Sequence, residues 1–437
     1  MDPSREDLKK MAIDAIDRNR GPIIDIGDSI FSEPELGFKE YRTADKIKQV
    51  FHDLHIPFRD QVALTGVIAS LKGRKSGMRI AMMGELDAVV SPMHLNADPV
   101  TGAAHACGHN CMIASLAAAA YALAQTDVMK YLDGDIDLMA VPAEEYVEIG
   151  YRNELRRQGK IHFLGGKQEF IRLGEMDKVD IMVMQHSMPT VPDEPVAYAG
   201  SGSNGFNGLL VQYVGKAAHA GGSPHLGINA LNAANIGLTA VSFQRETFQD
   251  KDHIRVHPII TKGGDLVNVV PEDVQIETYI RGSNLDAIMD AENKVIRAFK
   301  AGGYAVGART NITRLPGYMP FILCEPLMEV MLKNMDQLFG EGEAALSSEE
   351  SAGSTDAADV SMLMPVLHSY FSGVSGTLHG SDVRMADKEI AYIMSAKALV
   401  MTMIDLLCDG AEKGIAIKTQ YKPQMTKDVY LRHWGRI

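Results

Sequence analysis

The chain has 437 residues, of which 46% are hydrophobic and 23% are charged, which is typical of globular domains and not of disordered segments. Its formal net charge is −13 at pH 7, and no cluster of Lys and Arg forms a local basic surface, so nucleic acid is excluded as the main partner. We therefore expect a small-molecule partner.

The N-terminal segment and the cysteines indicate the compartment. The first twenty residues are charged and helical in period, and neither a secretory signal nor a run of about 18 apolar residues is evident along the chain. Four cysteines are too few and too scattered for a disulfide framework. The expectation is a cytoplasmic protein that does not associate with membranes.

The first part of the chain alternates between strand-like and helix-like segments. The helix-like segments are 43–56 and 111–125, and the strand-like segments are 62–71, 78–86, 135–143 and 179–187. The strand-like segments are almost continuously apolar, as in parallel strands that are buried on both faces. This alternation predicts an α/β domain built on a doubly wound, mostly parallel sheet.

A glycine-rich run, residues 200–208, follows and is interpreted as a hinge, because it has too many glycines for the interior of an element. The segments after it are ordered strand, helix, strand, strand, helix, strand: 206–215, 227–243, 253–261, 269–282, 285–303 and 304–315. This order is the ferredoxin-like pattern. We predict an inserted α+β domain at 200–315, with 1–199 and 316–437 forming one discontinuous domain.

Polar residues stand directly after the predicted strands, where open α/β sheets bind their ligands. Glu85 and Asp87 follow one strand, Glu144 and Glu145 the next, and His186 the last. Two adjacent acids repel one another, so one could bind a metal ion while the other deprotonates a water. Alternatively, Glu144 and Glu145 belong to a solvated acidic loop, and His186 is a hydrogen-bonded histidine of the core.

The segment HACGHN contains Cys107 and His109, which in an irregular loop could converge on one ion such as Zn²⁺. Taken alone, this spacing is more typical of a helix start with a buried cysteine. His379 lies in a glycine-rich loop, where packing demands little of a histidine. Together with Glu145 and His186, these residues provide enough donors for two metal ions.

The predicted inserted domain contains GKAAHAGGSPHLG, which lacks the G-K-[ST] ending of a phosphate-binding loop. His219 in this segment could instead polarise a carbonyl oxygen, or it could be an ordinary surface residue. Asn268 and Arg281 lie at predicted strand ends. A guanidinium suits a substrate carboxylate, although an exposed ion pair explains Arg281 equally well.

The motifs occur in a specific order: PELGFKEYRTA, GELDA, HACGHN, PAEE, MQHS, GKAAHAGGSPHLGINALNA, NVVPED and LHGSD. In this order the chain resembles the M20 metallopeptidase family. The similarity is greatest to its amidohydrolase branch, which contains N-acyl-amino-acid, aminobenzoyl-glutamate and auxin-conjugate hydrolases. The motifs extend from Pro34 to His379.

The resemblance implies a site for two divalent metal ions (Zn, Mn, Co or Ni) and hydrolysis of an amide by a metal-activated water. The implied ligands are Cys107, His109, Glu145, His186 and His379. It further implies that Glu144 is the general base and that the inserted domain mediates dimerisation. His219 would stabilise the oxyanion in the partner's site, while Asn268 and Arg281 would bind substrate. The resemblance gives Asp87 a supporting role near the metals.

Two departures from the family pattern leave the substrate open. The common amidohydrolase form reads CGHD, whereas this chain has Asn110, as in the sub-branch that hydrolyses aminobenzoyl-glutamate and dipeptides. The stretch 151–163 is longer than usual and either shapes the substrate pocket or forms a solvated helix. Two other hypotheses are a non-catalytic relative that binds an acyl-amino acid or a protein, and an enzyme with Cys107 as its nucleophile.

Overall fold

A computed structural model describes residues 2–75, 77–347 and 350–435. In these residues the strands are β1 (Phe58–Val62), β2 (Gly66–Leu71), β3 (Met78–Glu85), β4 (Val89–Val90), β5 (Ala103–Ala104), β6 (Gly134–Val141), β7 (Ile181–Pro189), β8 (Ala197–Tyr198), β9 (Gly202–Ser203), β10 (Gly205–Val214), β11 (Arg255–Lys262), β12 (Asp273–Gly282), β13 (Arg309–Tyr318), β14 (Ala344–Ala345), β15 (Glu350–Ser351), β16 (Val366–Ser375) and β17 (Arg384–Met385). The α-helices are α1 (Arg5–Arg18), α2 (Arg20–Ser32), α3 (Tyr41–Asp53), α4 (His109–Ala124), α5 (Ile149–Arg157), α6 (Gly166–Leu173), α7 (Ala230–Phe243), α8 (Leu285–Val306), α9 (Glu325–Phe339), α10 (Ala357–Ser361), α11 (Ser395–Leu407), α12 (Glu412–Gln420) and α13 (Lys427–Trp434).

The chain divides into two compact units. The first unit contains Met1–Gly202, Ile322–Glu350 and Asp359–Lys427. The second contains Ser203–Phe321 together with two short segments, Ser351–Ala358 and Asp428–Ile437. Both short segments lie outside the predicted inserted domain, 200–315, and the prediction places them in the first domain instead.

The first unit is built on a large mixed sheet with the strand order β1-β2-β6-β3-β7-β16-β8-β14. The four central strands β6, β3, β7 and β16 are parallel to one another, whereas β1, β2 and β17 pair antiparallel at the periphery. The α/β prediction is confirmed, and the parallel part of the sheet is its centre. All four central strands therefore place their carboxyl ends at the same edge.

Two apolar helices form much of the core of the first unit. Nearly every residue of α4 is buried, and α11 is buried along its whole length. The stretch Glu389–Leu407 has the length and the mean hydropathy, 1.7, of a membrane span, so the prediction that no such run exists is wrong. Because 89% of this stretch is buried inside the structure, its composition is that of a core helix.

The second unit contains the elements β10, α7, β11, β12, α8 and β13 in the predicted order. Its antiparallel sheet has the strand order β11-β12-β10-β13, and apolar residues of α7 and α8 form a separate core with it. Strand β11 lies at one edge of this sheet, and its Ile259 and Ile260 are exposed.

Several boundary predictions differ from the structure; the predicted strand 304–315, for example, begins with the last residues of α8, which ends at Val306. Part of the predicted hinge 200–208 is a strand, since β10 begins at Gly205 and includes Gly208. A Cβ atom at Gly205 would lie 2.7 Å from Pro320, so glycine permits a close approach of two backbones within the strand. The segment 62–71 is also not one strand, because Ala63 and Leu64 have positive φ and form the turn between β1 and β2.

Candidate metal centre

The acidic and histidine residues of the candidate site converge because they lie at or after the ends of parallel strands. Glu85 ends β3, Glu144 and Glu145 follow β6, His186 lies in β7, and His379 lies in the turn after β16. Parallel neighbours bring their carboxyl ends to one edge of the sheet, which is where open α/β sheets bind ligands.

The start of α4 adds the other two ligands. Gly108 lies between Cys107 and His109 and has φ of 87°, a conformation that residues with a Cβ atom rarely adopt. A Cβ atom at this position would also lie 2.7 Å from Ser187, so both the backbone and the packing require glycine. The tight turn places the thiol and the imidazole beside His186 instead of along one face of the helix.

Cys107 lies at the centre of the cluster. Its Sγ is 3.3 Å from Nε2 of His186 and 3.3 Å from Nε2 of His379. Oε1 of Glu145 is 3.1 Å from Nε2 of His379. Two donor sets share the thiol: Cys107 with His109 and His186, and Cys107 with Glu145 and His379, each with ligand atoms within 4.8 Å of one another. The thiol is therefore common to both donor sets.

A third donor set contains Glu85, which is not among the ligands that the sequence predicts. Nε2 of His109 lies 3.0 Å from Oε2 of Glu85 and 3.9 Å from Oε2 of Glu144. Nδ1 of the same ring is 2.8 Å from the carbonyl oxygen of Asp87, so the tautomer that donates there leaves Nε2 for a metal ion. The position of Glu85, at the same sheet edge as the other acids, was the signal that could have identified it.

The buried atoms of this cluster fit a metal ion. Nε2 of His109, Oε2 of Glu85 and Oε1 of Glu145 are buried and make no hydrogen bond of good geometry with the described residues, although each lies close to another donor atom. Buried polar atoms are normally hydrogen-bonded, so atoms that converge without bonding suit coordination of a common ion. Thiolate, imidazole and carboxylate are the ligand types that Zn²⁺ and similar ions prefer.

The pKa values of Cys107 and Glu145 also suit metal binding. Burial and the charge of Glu145 raise the pKa of the Cys107 thiol, but the charges of His186 and His109 outweigh them and lower it to about 6. Burial also raises the pKa of Glu145, and the contact with His379 lowers it to about 2. The thiol and the carboxyl are thus held in the ionised forms that bind metal ions.

Glu144 differs from its neighbour in its proton affinity. Burial, then the charges of Glu85 and Glu145, raise the pKa of Glu144 well above its ordinary value. A carboxyl group with a raised pKa binds a proton more readily than an ordinary carboxylate, which suits a role in proton transfer. The two adjacent glutamates therefore differ in chemistry, because Glu145 contacts His379 whereas Glu144 is affected most by burial and by neighbouring carboxylates.

Glu85 is held by a buried lysine. Nζ of Lys167 lies 2.5 Å from Oε1 of Glu85, and both side chains are completely buried. Together with the contact to His109, this ion pair holds the pKa of Glu85 well below its ordinary range, although burial acts in the opposite direction. Lys167 begins α6 together with Gly166 and belongs to a family-like GGK segment, but nothing in the sequence pairs it with Glu85.

Asn110 and His105 lie close to the centre but have other surroundings. Nδ2 of Asn110 donates to the hydroxyl of Tyr392 over 2.9 Å, so the residue that departs from the family pattern packs against the helical segment before α11. His105 is buried, and its ring nitrogens make no hydrogen bond to the described residues. Burial lowers the pKa of His105 to about 3, which keeps the ring neutral.

The remaining predicted residues belong to the second unit. His219 is exposed, and its Nδ1 accepts hydrogen bonds from the amides of Gly221 and Gly222 at 3.2 and 2.9 Å. Nε2 therefore carries the proton and is available as a donor. The loop of Asn268 is adjacent, since the carbonyl oxygen of Asn268 accepts from the amide of Ala220.

Arg281 is at the opposite end of the same sheet. It pairs with Phe206 at the start of β10, whereas His219 follows the other end of β10 at Val214. About 26 Å of extended strand separate these two ends. Nη1 of Arg281 donates to Ser354. Within one chain, His219 and Asn268 are therefore together, and Arg281 is not with them.

The family is decided by comparison with known proteins. A model described as peptidase family M20/M25/M40 matches residues 81–402, which is more than half of the chain. The chain belongs to this family. The match confirms the resemblance and includes all of the predicted metal ligands.

Individual relatives of this M20 chain extend the comparison. The Xaa-Arg dipeptidase of Mus musculus is 27% identical over 94% of this chain and 93% of its own length. A p-aminobenzoyl-glutamate hydrolase chain of Escherichia coli is 27% identical over 70% of this chain and 60% of its own length. The solved structure of Bacillus subtilis YXEP protein, described as a dinuclear metal binding peptidase from the M20 family, superposes with a TM-score of 0.64, at 22% identity, over 88% of this chain and 98% of that one.

These relatives establish the class of reaction. The curated relatives are named as peptidases and amide hydrolases, so this M20 chain is a hydrolase that acts on amide or peptide bonds. The specific ligand and catalytic roles of Cys107, His109, Glu144 and the other site residues stay predictions, which the geometry above makes testable.

Proposed function

We propose that the chain is a metal-dependent amidohydrolase that cleaves the amide bond of a dipeptide, an N-acyl amino acid or an aminobenzoyl-glutamate-like conjugate. The observation that supports this most is the convergence of two donor sets on Cys107 beside Glu144, a carboxyl group with a raised pKa. The match to an Xaa-Arg dipeptidase along nearly the whole chain favours a dipeptide among these substrates.

The proposed metal ligands are Cys107, His109, Glu145, His186 and His379. When bound, two divalent ions would polarise the substrate carbonyl and lower the pKa of water. Glu144 accepts a proton from the attacking water and returns it to the nitrogen of the leaving amine. Asp87 fixes Glu144 and Glu145 by accepting hydrogen bonds from their amides at 3.1 and 2.9 Å.

A hydrolysis screen tests this function. Protein reconstituted with Zn²⁺, Mn²⁺, Co²⁺ or Ni²⁺ is offered Xaa-Arg and β-alanyl dipeptides, N-acyl amino acids and aminobenzoyl-glutamate, and the released amine is quantified by chromatography. We expect hydrolysis that a chelator abolishes and added metal restores. Activity that survives chelation but is lost on alkylation of Cys107 would indicate the thiol nucleophile instead. Binding of these compounds without turnover would support the non-catalytic alternative.

We further propose that the protein acts as a homodimer with shared sites. If His219, Asn268 and Arg281 all contact one substrate, the distance along β10 means that they must come from two copies of the chain. The donor at Nε2 of His219 would stabilise the oxyanion, while Arg281 and Asn268 would bind the substrate carboxylate. The exposed Ile259 and Ile260 on edge strand β11 favour the second unit as the dimer contact.

Complementation tests the shared site. His219→Ala and Glu144→Gln proteins are each expected to be nearly inactive, because each lacks a different part of the machinery. Mixed and allowed to exchange subunits, they should regain activity, since a heterodimer contains one site with both residues intact. Activity is measured against mixing ratio on a substrate found in the screen. A mixture that stays inactive at every ratio, while subunit exchange is shown by differently tagged chains, would contradict a shared site.

The cytoplasm remains the proposed location. The four cysteines, Cys107, Cys111, Cys324 and Cys408, are all free and buried in the structure. Reduced thiols are typical of the cytosol, and a thiol ligand at position 107 requires them.

A further inference from the structure

The turn that presents the two glutamates has an unfavourable backbone conformation. Ala143 directly precedes Glu144, is completely buried and has φ of 55°. A residue with a Cβ atom seldom adopts this left-handed conformation, so the surroundings must hold it in place. The hydrogen bonds of Ala143 show which residues do so.

The amide of Ala143 is bound by a glutamate that is distant in sequence. Oε1 of Glu40 accepts from the amide nitrogen of Ala143 at 2.8 Å, and Oε2 of Glu40 accepts from Oγ1 of Thr65 at 2.6 Å. Glu40 is completely buried and immediately precedes α3, yet its side chain does not cap that helix. Both carboxylate oxygens are used to join the turn after β6 to the segment between β1 and β2.

The carbonyl of Ala143 is bound from α5. Nη1 of Arg152 donates to the carbonyl oxygen of Leu164 at 2.7 Å and lies 3.4 Å from that of Ala143, which also accepts from the amide of Gly166 at 3.3 Å. Arg152 is completely buried, and its guanidinium lies against the ring of Phe38. A buried guanidinium that donates to main-chain carbonyls fixes the path of the loops that provide them.

The next two amides of the turn have acceptors of the same kind. Glu144 and Glu145 donate their amides to the two carboxylate oxygens of Asp87. Three consecutive amides, from Ala143 to Glu145, are thus held by two buried carboxylates. Asp87 binds the amides of Glu144 and Glu145, and Glu40 binds the amide before them, which is that of Ala143, the residue with the unfavourable backbone conformation.

We infer that Glu40 and Arg152 are positioning residues, which hold Ala143 in its left-handed conformation and so direct the side chains of Glu144 and Glu145. This inference rests on the proposed function, because it assigns Glu145 to metal binding and Glu144 to proton transfer. It also gives a role to the long stretch 151–163. Within that stretch α5 buries Arg152 and Leu155, whereas residues 157–160 are exposed, so the side chain of Arg152 is inside the unit and not in solvent.

Two substitutions of Glu40 separate its contact from its charge. Glu40→Gln keeps an acceptor for the amide of Ala143 and can donate to Thr65, but it removes the charge. Glu40→Asp keeps the charge but is one methylene shorter, so it loses the contact. The purified chain is stripped of metal and titrated with Co²⁺, and the absorption of the bound ion is followed. We expect Glu40→Asp to weaken Co²⁺ affinity about tenfold and to change the ligand-field bands, and Glu40→Gln to match the wild type.

Arg152→Lys tests the second positioning residue, since it keeps a buried positive charge but loses the geometry of the guanidinium. It should also weaken Co²⁺ affinity about tenfold. Asn334→Ala is the matched control, because it removes a buried polar contact to Lys9 in the same unit without touching residues 143–145. Thermal unfolding of all variants is measured in parallel, and Asn334→Ala is expected to lower the unfolding temperature while keeping wild-type Co²⁺ affinity.

The outcomes distinguish this inference from the proposed function. If the wild type binds Co²⁺ and Glu40→Asp binds it equally well, the positioning role is wrong and the metal site stands. If Glu40→Gln loses as much affinity as Glu40→Asp, an acceptor for the amide of Ala143 is not enough to hold the turn, and the inference is overturned. If the wild type itself binds no Co²⁺, the proposed function fails, and the inference fails with it.

Discussion

Replacing Glu144 by Gln is expected to lower kcat about 10²- to 10⁴-fold, the range for loss of a general acid or base, while the bound metal is retained. The physical reason is the difference between the two adjacent carboxyl groups. Glu145 is ionised through its contact with His379, whereas burial and neighbouring charges raise the pKa of Glu144. An amide cannot accept the proton of the attacking water. Steady-state kinetics on a substrate from the screen and metal analysis of the purified protein measure the two effects.

Glu154→Gln is the matched control for this substitution. Glu154 lies on α5, and its side chain is 47% exposed, so the same chemical change there should leave kcat unaltered. Near wild-type turnover of the Glu144→Gln protein would show that another group transfers the proton. Loss of metal together with loss of turnover would instead place Glu144 among the ligands.

Lys167→Met is expected to lower the free energy of unfolding of the metal-free chain by about 3–5 kcal/mol, the usual effect of removing one partner of a buried ion pair. Glu85 would keep its charge in the interior without the ammonium group that lies 2.5 Å away. The double substitution Glu85→Gln and Lys167→Met removes both charges, so most of this loss should be recovered. Urea unfolding followed by circular dichroism compares the four proteins of the cycle.

Lys397→Met is the control for the lysine substitution. Lys397 is also buried, but its partner Asp17 is 46% exposed and remains hydrated when the lysine is removed. The loss of stability should therefore be clearly smaller than for Lys167→Met. If the double variant is no more stable than Lys167→Met alone, the pair is not the reason for the effect.

Much of the fold could be predicted because the buried strands of this chain are also continuous apolar runs in its sequence. The apolar runs of β3, β6 and β7 identified strands at the centre of the sheet, and the long apolar segment 111–125 identified α4. The glycines of residues 200–208 were misleading, because glycine serves equally in a hinge and in a strand against which another backbone packs. Which of these applies depends on Pro320, more than a hundred residues away.

The candidate site could be predicted only in part. Residues with a motif of their own, such as Cys107 with His109 and Glu144 with Glu145, were identified, and the structure brings them together with His186 and His379. Glu85 and Lys167 were missed as a pair, because a carboxylate and an ammonium group 82 positions apart have no shared pattern until the chain is folded.

By itself, the sequence determined the chemistry of this protein: the donor types, their order along the chain and the alternation of strands and helices that leads each donor to one edge of a sheet. These properties are local, since a strand ends where its apolar run ends and the next polar residue lies at that edge. Only the tertiary structure decided the interactions between distant segments. It placed the Cys107 thiol in two donor sets, separated Arg281 from His219 along β10, and set Glu40 and Arg152 around Ala143. Such contacts join residues with no fixed spacing, so they follow from packing and cannot be derived from a pattern.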